Sequence, residues 1–143
     1  VRVRRIAIDR DYPTIKTWWE KRGSEAPSPG LLPPVGVISE DNGIPLACAF
    51  LYEAVGCSIA MVEWEATNPD YKSALIQVRA LTQIFDFFET FCRDKGIAVV
   101  LSWVAEDRGD GRLLARRNWI KCPGERHEMM AFETHPEEAL CPS

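Results

Sequence analysis

Two glutamates, Glu63 and Glu65, stand one residue apart in the segment SIAMVEWEAT, Ser58 to Thr67. Alternation of hydrophobic and polar residues marks that segment as a strand. Side chains on a strand alternate between faces, so Val62, Trp64 and Ala66 are predicted on one face and Glu63, Glu65 and Thr67 on the other. Carboxylates that close raise one another's proton affinity, which suits a general base working near neutral pH. A polar cleft on one face of a central sheet would use them so. A sheet face that simply meets water would carry the same pattern.

Other residue types with chemistry are sparse. The only histidines are His127 and His135, and no spaced ligand cluster exists, so no metal site is expected. His127 is a proton carrier by residue type alone. Of five cysteines, none are paired in a CxxC spacing, and no stretch reads as a signal peptide. Reduced thiols in a cytoplasmic protein are the expected state, with Cys48 and Cys92 as small core residues. Arg2, Arg4 and Arg5 form one basic cluster, and Arg112, Arg116 and Arg117 another. The net charge of -4 nevertheless offers nucleic acid and anionic membranes no general attraction. No run reaches the roughly 20 apolar residues of a membrane span.

These residues need a frame. A chain of 143 residues with 46% hydrophobic and 27% charged content has the size and composition of one globular domain. Val1 to Ile8 reads as a first strand. A helix follows, capped by Asp9 or Asp11, with Pro13 early in it and Ile15, Trp18 and Trp19 along it, ending near Gly23. The segment SEAPSPGLLPP is a stiff loop. Val35 to Ser39, the turn Asp41-Asn42-Gly43, Ile44 to Glu53 and Ser58 to Thr67 form a three-stranded meander. A long helix starts at Pro69 or Ser73 and runs to Lys95. It places Leu75, Val78, Leu81, Phe85, Phe88 and Cys92 at helical spacing, and Gly96 stops it. Ile97 to Val104 is a continuous apolar run, suited to an interior strand parallel to the one before the helix. Arg112 to Trp119 is a short helix, and Glu128 to Glu133 a last strand.

This order of elements, over residues 1 to 134, resembles the acyl-CoA N-acyltransferase (GNAT) superfamily. The family's motif V-x-P-x-x-[RQ]-x-x-G-x-[GA] aligns with Thr67 to Gln77: Pro69 matches and Lys72 stands at the Arg/Gln position. Leu75 and Gln77 replace the two glycines. A later motif, N-x-x-A-x-x-L-Y-x-x-x-G-F, aligns with DRGDGRLLARRNW, where Asp107 stands for Asn, Leu113 matches Leu and Leu114 replaces Tyr. The match is to a degenerate form of the acetyl-CoA motif.

The resemblance implies an α/β (α+β) fold with a mixed, mostly antiparallel sheet and helices on both faces. It implies one GNAT-like domain over 1–134 and a tail over 135–143. It implies acetyl-CoA binding by Ala66, Thr67, Lys72, Ser73, Ala74, Leu75, Ile76, Gln77 and Asp107, weak or atypical in this chain. Phosphate would lie on the backbone N–H groups at the start of the long helix. Glu63 or Glu65 would be the base for acetyl transfer to the amine of a small molecule or a protein. Trp18, Trp19 and Leu31-Leu32 would wall the acceptor pocket. One tryptophan is expected in the core, and the apolar Trp/Leu/Pro surface would accommodate a homodimer. A second function remains open from the same residues: the lost glycines and Tyr also fit an inactive GNAT-fold protein that serves as a binding module. Nucleic-acid binding through the arginines is a third and weaker option.

Overall fold

The computed structural model describes residues 1–103 and 110–120. They fall in two compact units, Val1–Trp103 and a second within Val104–Ser143. The first unit holds a five-stranded sheet in the order β1 (Arg2–Arg5), β2 (Val35–Asp41), β3 (Ile44–Glu53), β4 (Ile59–Thr67), β5 (Val99–Ser102). Neighbours are antiparallel except β4 and β5, which are parallel. The parallel pair is joined through the long helix α2 (Ala74–Asp94), as a parallel crossover requires. The mixed, mostly antiparallel α+β architecture expected from the sequence is therefore present. Among the described residues no helix is long and apolar enough to cross a membrane.

Two helices cover the two faces. One face carries Ile38, Cys48, Phe50 and Ala66, packed with Ile15, Trp18 and Trp19 of α1 (Ile8–Lys21). Both tryptophans are core residues, not one. The alternate residues Val37, Ala47, Ala49, Leu51 and Val62 are buried on the other face. There α2 crosses β1 to β4 and buries Leu81, Ile84, Phe85, Phe88 and Cys92. Each such large side chain contributes about 1.5–3 kcal/mol of transfer free energy.

The turns follow their residues. Asn42 and Gly43 both take positive φ (48° and 79°), as the Asn-Gly signal predicts. Gly96 (φ 71°) closes α2: the Gly96 N–H donates to the Arg93 carbonyl and the Ile97 N–H to that of Cys92. Several boundaries differ from the sequence reading. β1 spans only four residues, and so does β5. α1 begins at Ile8 with Ala7 as its cap, so Pro13 lies more than one turn inside. Neither aspartate caps the helix by its own backbone position. Asp11 instead reaches back to accept the Ala7 N–H at 2.8 Å. α2 starts at Ala74, because Asn68 and Asp70 close a separate turn, the Asp70 N–H donating to Asn68 Oδ1 at 3.0 Å. In the second unit α3 (Asp110–Arg116) ends on Asn118, at φ 64°. The last strand expected at Glu128 to Glu133, together with Asp107, His127 and the tail, lies outside the described residues.

One close contact tests this packing. Gly36 lies directly opposite Phe50, and a Cβ there would meet the ring at 2.6 Å. The ring is fully buried and cannot swing out. Gly36→Ala is expected to destabilise the fold by about 1–3 kcal/mol, read from the urea midpoint. An unchanged midpoint would contradict this packing.

Candidate active site

The strand that carries both glutamates does not alternate as predicted. Between β3 and β4, Cys48 faces Ala66 but Phe50 faces Glu63, so β4 has one residue more than its partner. The extra residue is absorbed at Trp64, whose φ is 59°. A bulge of this kind bends the strand and re-aims side chains. Directly opposed residues share a face, so Glu63 lies on the α1 face with Phe50. Trp64 also turns to that face, edge-on to Trp19 at 6.2 Å, with its Nε1 donating to the Tyr52 hydroxyl at 2.8 Å. Glu65 points the other way, where it accepts from Ser102 Oγ at 3.0 Å; Ser102 sits beside Val62 on the α2 face. The two carboxylates are therefore on opposite faces. The shared polar face expected from alternation is not formed.

Glu63 occupies a particular place. The β4–β5 pairing stops at Val62 and Ser102, while β4 runs on to Thr67. Glu63 is the first residue beyond that point. The backbone N–H of Trp103, the first residue after β5, donates to its carboxylate. Its other oxygen, Oε1, is buried with no hydrogen-bond partner among the described residues. Burial raises the proton affinity of Glu63 above the ordinary glutamate value, and the Trp103 N–H only partly opposes this. The shift comes from desolvation and not from Glu65.

The segment after β4 leads to the start of α2. Ala66 and Thr67 are buried. Thr67 is held by Arg22, just beyond α1, which donates to its carbonyl at 3.1 Å and to its hydroxyl. Lys21 pairs with Asp70 at 2.6 Å. Gln77 pins the turn, its Nε2 donating to the carbonyls of Asn68 and Tyr71 at 3.0 and 2.6 Å. Ser73 precedes the helix without a side-chain capping bond, and the first helical bond runs from the Gln77 N–H to the Ser73 carbonyl. The N–H groups of Ala74, Leu75 and Ile76 thus have no intrahelical partner. Leu75 is 79% exposed, so its side chain turns away from the body of the protein. Lys72 is exposed.

The structure thus brings Glu63, Ala66 and Thr67 onto one strand end and residues 72 to 77 onto the following turn. It separates Glu65 from Glu63. Leu31 and Leu32 flank the α1 face, where the Leu31 carbonyl accepts from Tyr52 Oη at 2.9 Å and Leu32 packs on the core. Sequence reasoning missed Tyr52, Arg22 and the Trp103 N–H. A tyrosine in an apolar strand was the one available signal for Tyr52, since a buried hydroxyl needs a partner. Among the described residues no group of three or more His, Cys, Asp or Glu could hold a metal ion.

No protein-family model matches this sequence, and no curated protein is similar to it in sequence. Solved structures are similar in fold. TTHA1254 from Thermus thermophilus, crystallised as a point mutant, aligns with TM-score 0.70 at 14% identity, over 93% of this chain and 99% of that one. A ribosomal-protein-alanine N-acetyltransferase from Brucella melitensis biovar Abortus 2308 aligns with TM-score 0.62 at 10% identity, over 92% and 100%. An N-acetylglutamate synthase from Neisseria gonorrhoeae, complexed with coenzyme A and N-acetyl-glutamate, aligns with TM-score 0.55 at 20% identity, over 81% of this chain and 27% of that one. The protein has a GNAT-like fold, shared with these solved structures.

Proposed function

We propose that the protein transfers an acetyl group from acetyl-CoA to an amine, with Glu63 taking the proton from the attacking nitrogen. The observation that carries this reading is the Glu63 carboxylate itself. It sits where β4 and β5 stop pairing, has an unpartnered buried oxygen, and has a proton affinity raised by burial. A base is most effective when its pKa approaches the working pH, and burial moves Glu63 in that direction. Glu65, turned to the other face and bonded to Ser102, is not assigned this role.

The residues at the start of α2 fit a CoA pyrophosphate. Three N–H groups lack helical partners, and Lys72 and the Leu75 side chain are exposed. When bound, acetyl-CoA would supply an acyl group activated as a thioester. This chain would orient it with the N–H groups of residues 74 to 76 and the stretch of β4 from Glu65 to Thr67, which lies beyond the residues that pair with β5. Leu114 has no proton to donate, unlike the Tyr usual at that position.

Melting in excess acetyl-CoA tests the reading. At about 100 times its dissociation constant the ligand is expected to stabilise the protein by about 2.7 kcal/mol. No shift at millimolar acetyl-CoA would remove it. The binding-module reading would then take over, favoured by Gln77, which stands at a glycine position and has its side chain committed to the turn.

A further inference from the structure

We infer that the acceptor side of this site selects a cationic amine on an aromatic or apolar body and rejects amines that carry a carboxylate beside the nitrogen. The inference rests on the proposed role of Glu63 and names the acceptor class that role would serve.

The described neighbours of Glu63 along β3 to β5 are aromatic and apolar. Phe50 lies opposite it, and the opposed pair Tyr52 and Met61 comes next on the same face. The Tyr52 hydroxyl donates to Leu31 and accepts from Trp64, so what it offers to a ligand is ring. Leu101, beside Met61, is 43% exposed, and the Trp103 side chain 62% exposed. Trp103 is the residue whose N–H binds Glu63.

No cation among the described residues completes this carboxylate. Arg4 and Arg10 pair with Asp11, Lys21 with Asp70, and Lys95 with Glu53. Among the described residues, burial and the Trp103 N–H are the influences on Glu63, and no basic side chain contributes. A desolvated carboxylate oxygen with no donor is costly, and a ligand ammonium would satisfy it. Aromatic rings around the ammonium add cation–π attraction. The ammonium then passes one proton to Glu63, which leaves a neutral amine and a neutral carboxyl; on acyl transfer the C–S bond breaks as the C–N bond forms, and the nitrogen's second proton would leave with the CoA thiolate as free thiol. An acceptor with its own carboxylate beside the amine would set like charges together in a poorly solvated place.

Calorimetric titration of the protein with 2-phenylethylamine, L-phenylalanine and ethanolamine tests this, with and without coenzyme A. 2-Phenylethylamine is expected to bind at least about tenfold more tightly than either of the others, a difference of about 1.4 kcal/mol. Trp103→Leu, at an exposed position, should weaken it about two- to fivefold. Glu63→Gln should abolish the preference over L-phenylalanine. Equal or tighter binding of L-phenylalanine overturns the inference. So does no binding of 2-phenylethylamine at about 10 mM, or full affinity in both variants. Preferred binding without any acetylated product would instead overturn the acyl-transfer reading alone. Preferential acetylation of L-phenylalanine would overturn the acceptor class alone.

Discussion

Glu63→Gln is expected to lower kcat for acetyl transfer by about 10²- to 10⁴-fold, the usual contribution of a general base, with acetyl-CoA affinity almost unchanged. The amide keeps the shape of the side chain and removes its basicity. In the wild type, kcat/KM should rise with pH through a value above that of an ordinary glutamate, because burial raises the Glu63 pKa. The variant should lack that limb, and its deficit should shrink at high pH, where free amine is abundant. Stability runs the other way. The folded protein holds the Glu63 proton more tightly than the unfolded chain does, so the fold loses stability as pH rises from the unfolded pKa through the folded one. At neutral pH the variant should therefore melt no lower than the wild type. A loss of activity accompanied by lower stability would point to a structural role, and full activity at neutral pH would remove Glu63 as the base.

Asp11→Ala is expected to cost about 1–3 kcal/mol at pH 7, because it strips a part-buried ion-pair network and leaves the Ala7 N–H without its acceptor. Arg4 binds both carboxylate oxygens of Asp11, at 2.8 and 3.0 Å, and Glu40 at 2.9 Å. Arg10 and the Ala7 N–H also donate to Asp11. Burial alone would push the Asp11 pKa up, but the bonds from Arg4, Arg10 and Ala7 outweigh it and hold Asp11 well below the usual carboxylate range. Glu40 is held down by Arg2 and Arg4. Both depressed groups contribute stability that is present above their unfolded pKa values, near 4, and lost as pH falls through the folded ones. Thermal melting from pH 7 to pH 2 should show a steep acid decline in the wild type and a shallower one in the variant. A variant that melts within a degree of the wild type at pH 7 would show that the network is dispensable.

Much of this frame was legible without coordinates. Asn42-Gly43 specified its turn because few other residues accept two consecutive positive φ angles. Gly96 marked the end of α2 for the same reason. The apolar stripe of α2 and the run after it specified a helix packed on the sheet and a strand parallel to β4. They did not specify burial throughout: Leu75 and Val78 of the expected stripe are exposed, and β5 is the edge of the sheet among the described residues, with Val99 and Leu101 exposed, where an interior strand was expected. The network around Asp11 was not legible. Glu40 is distant in sequence from Arg4 and Asp11, and the three meet only because β1 pairs with β2 and α1 folds back over them.

The sequence by itself determined the order of elements, the turns and the apolar faces, because those depend on residues a few positions apart. Tertiary structure alone decided the site. Nothing local to VEWEAT announces a bulge, and a left-handed backbone at a tryptophan is locally unfavourable. It persists because Trp64 gains Trp19 and the Tyr52 hydroxyl, contributed by α1 and β3. That packing shifts the register of β4 by one residue and turns Glu63 and Glu65 to opposite faces. One carboxylate is thereby left desolvated beside aromatic rings and the other bonded to Ser102, a difference that period-two alternation could not encode.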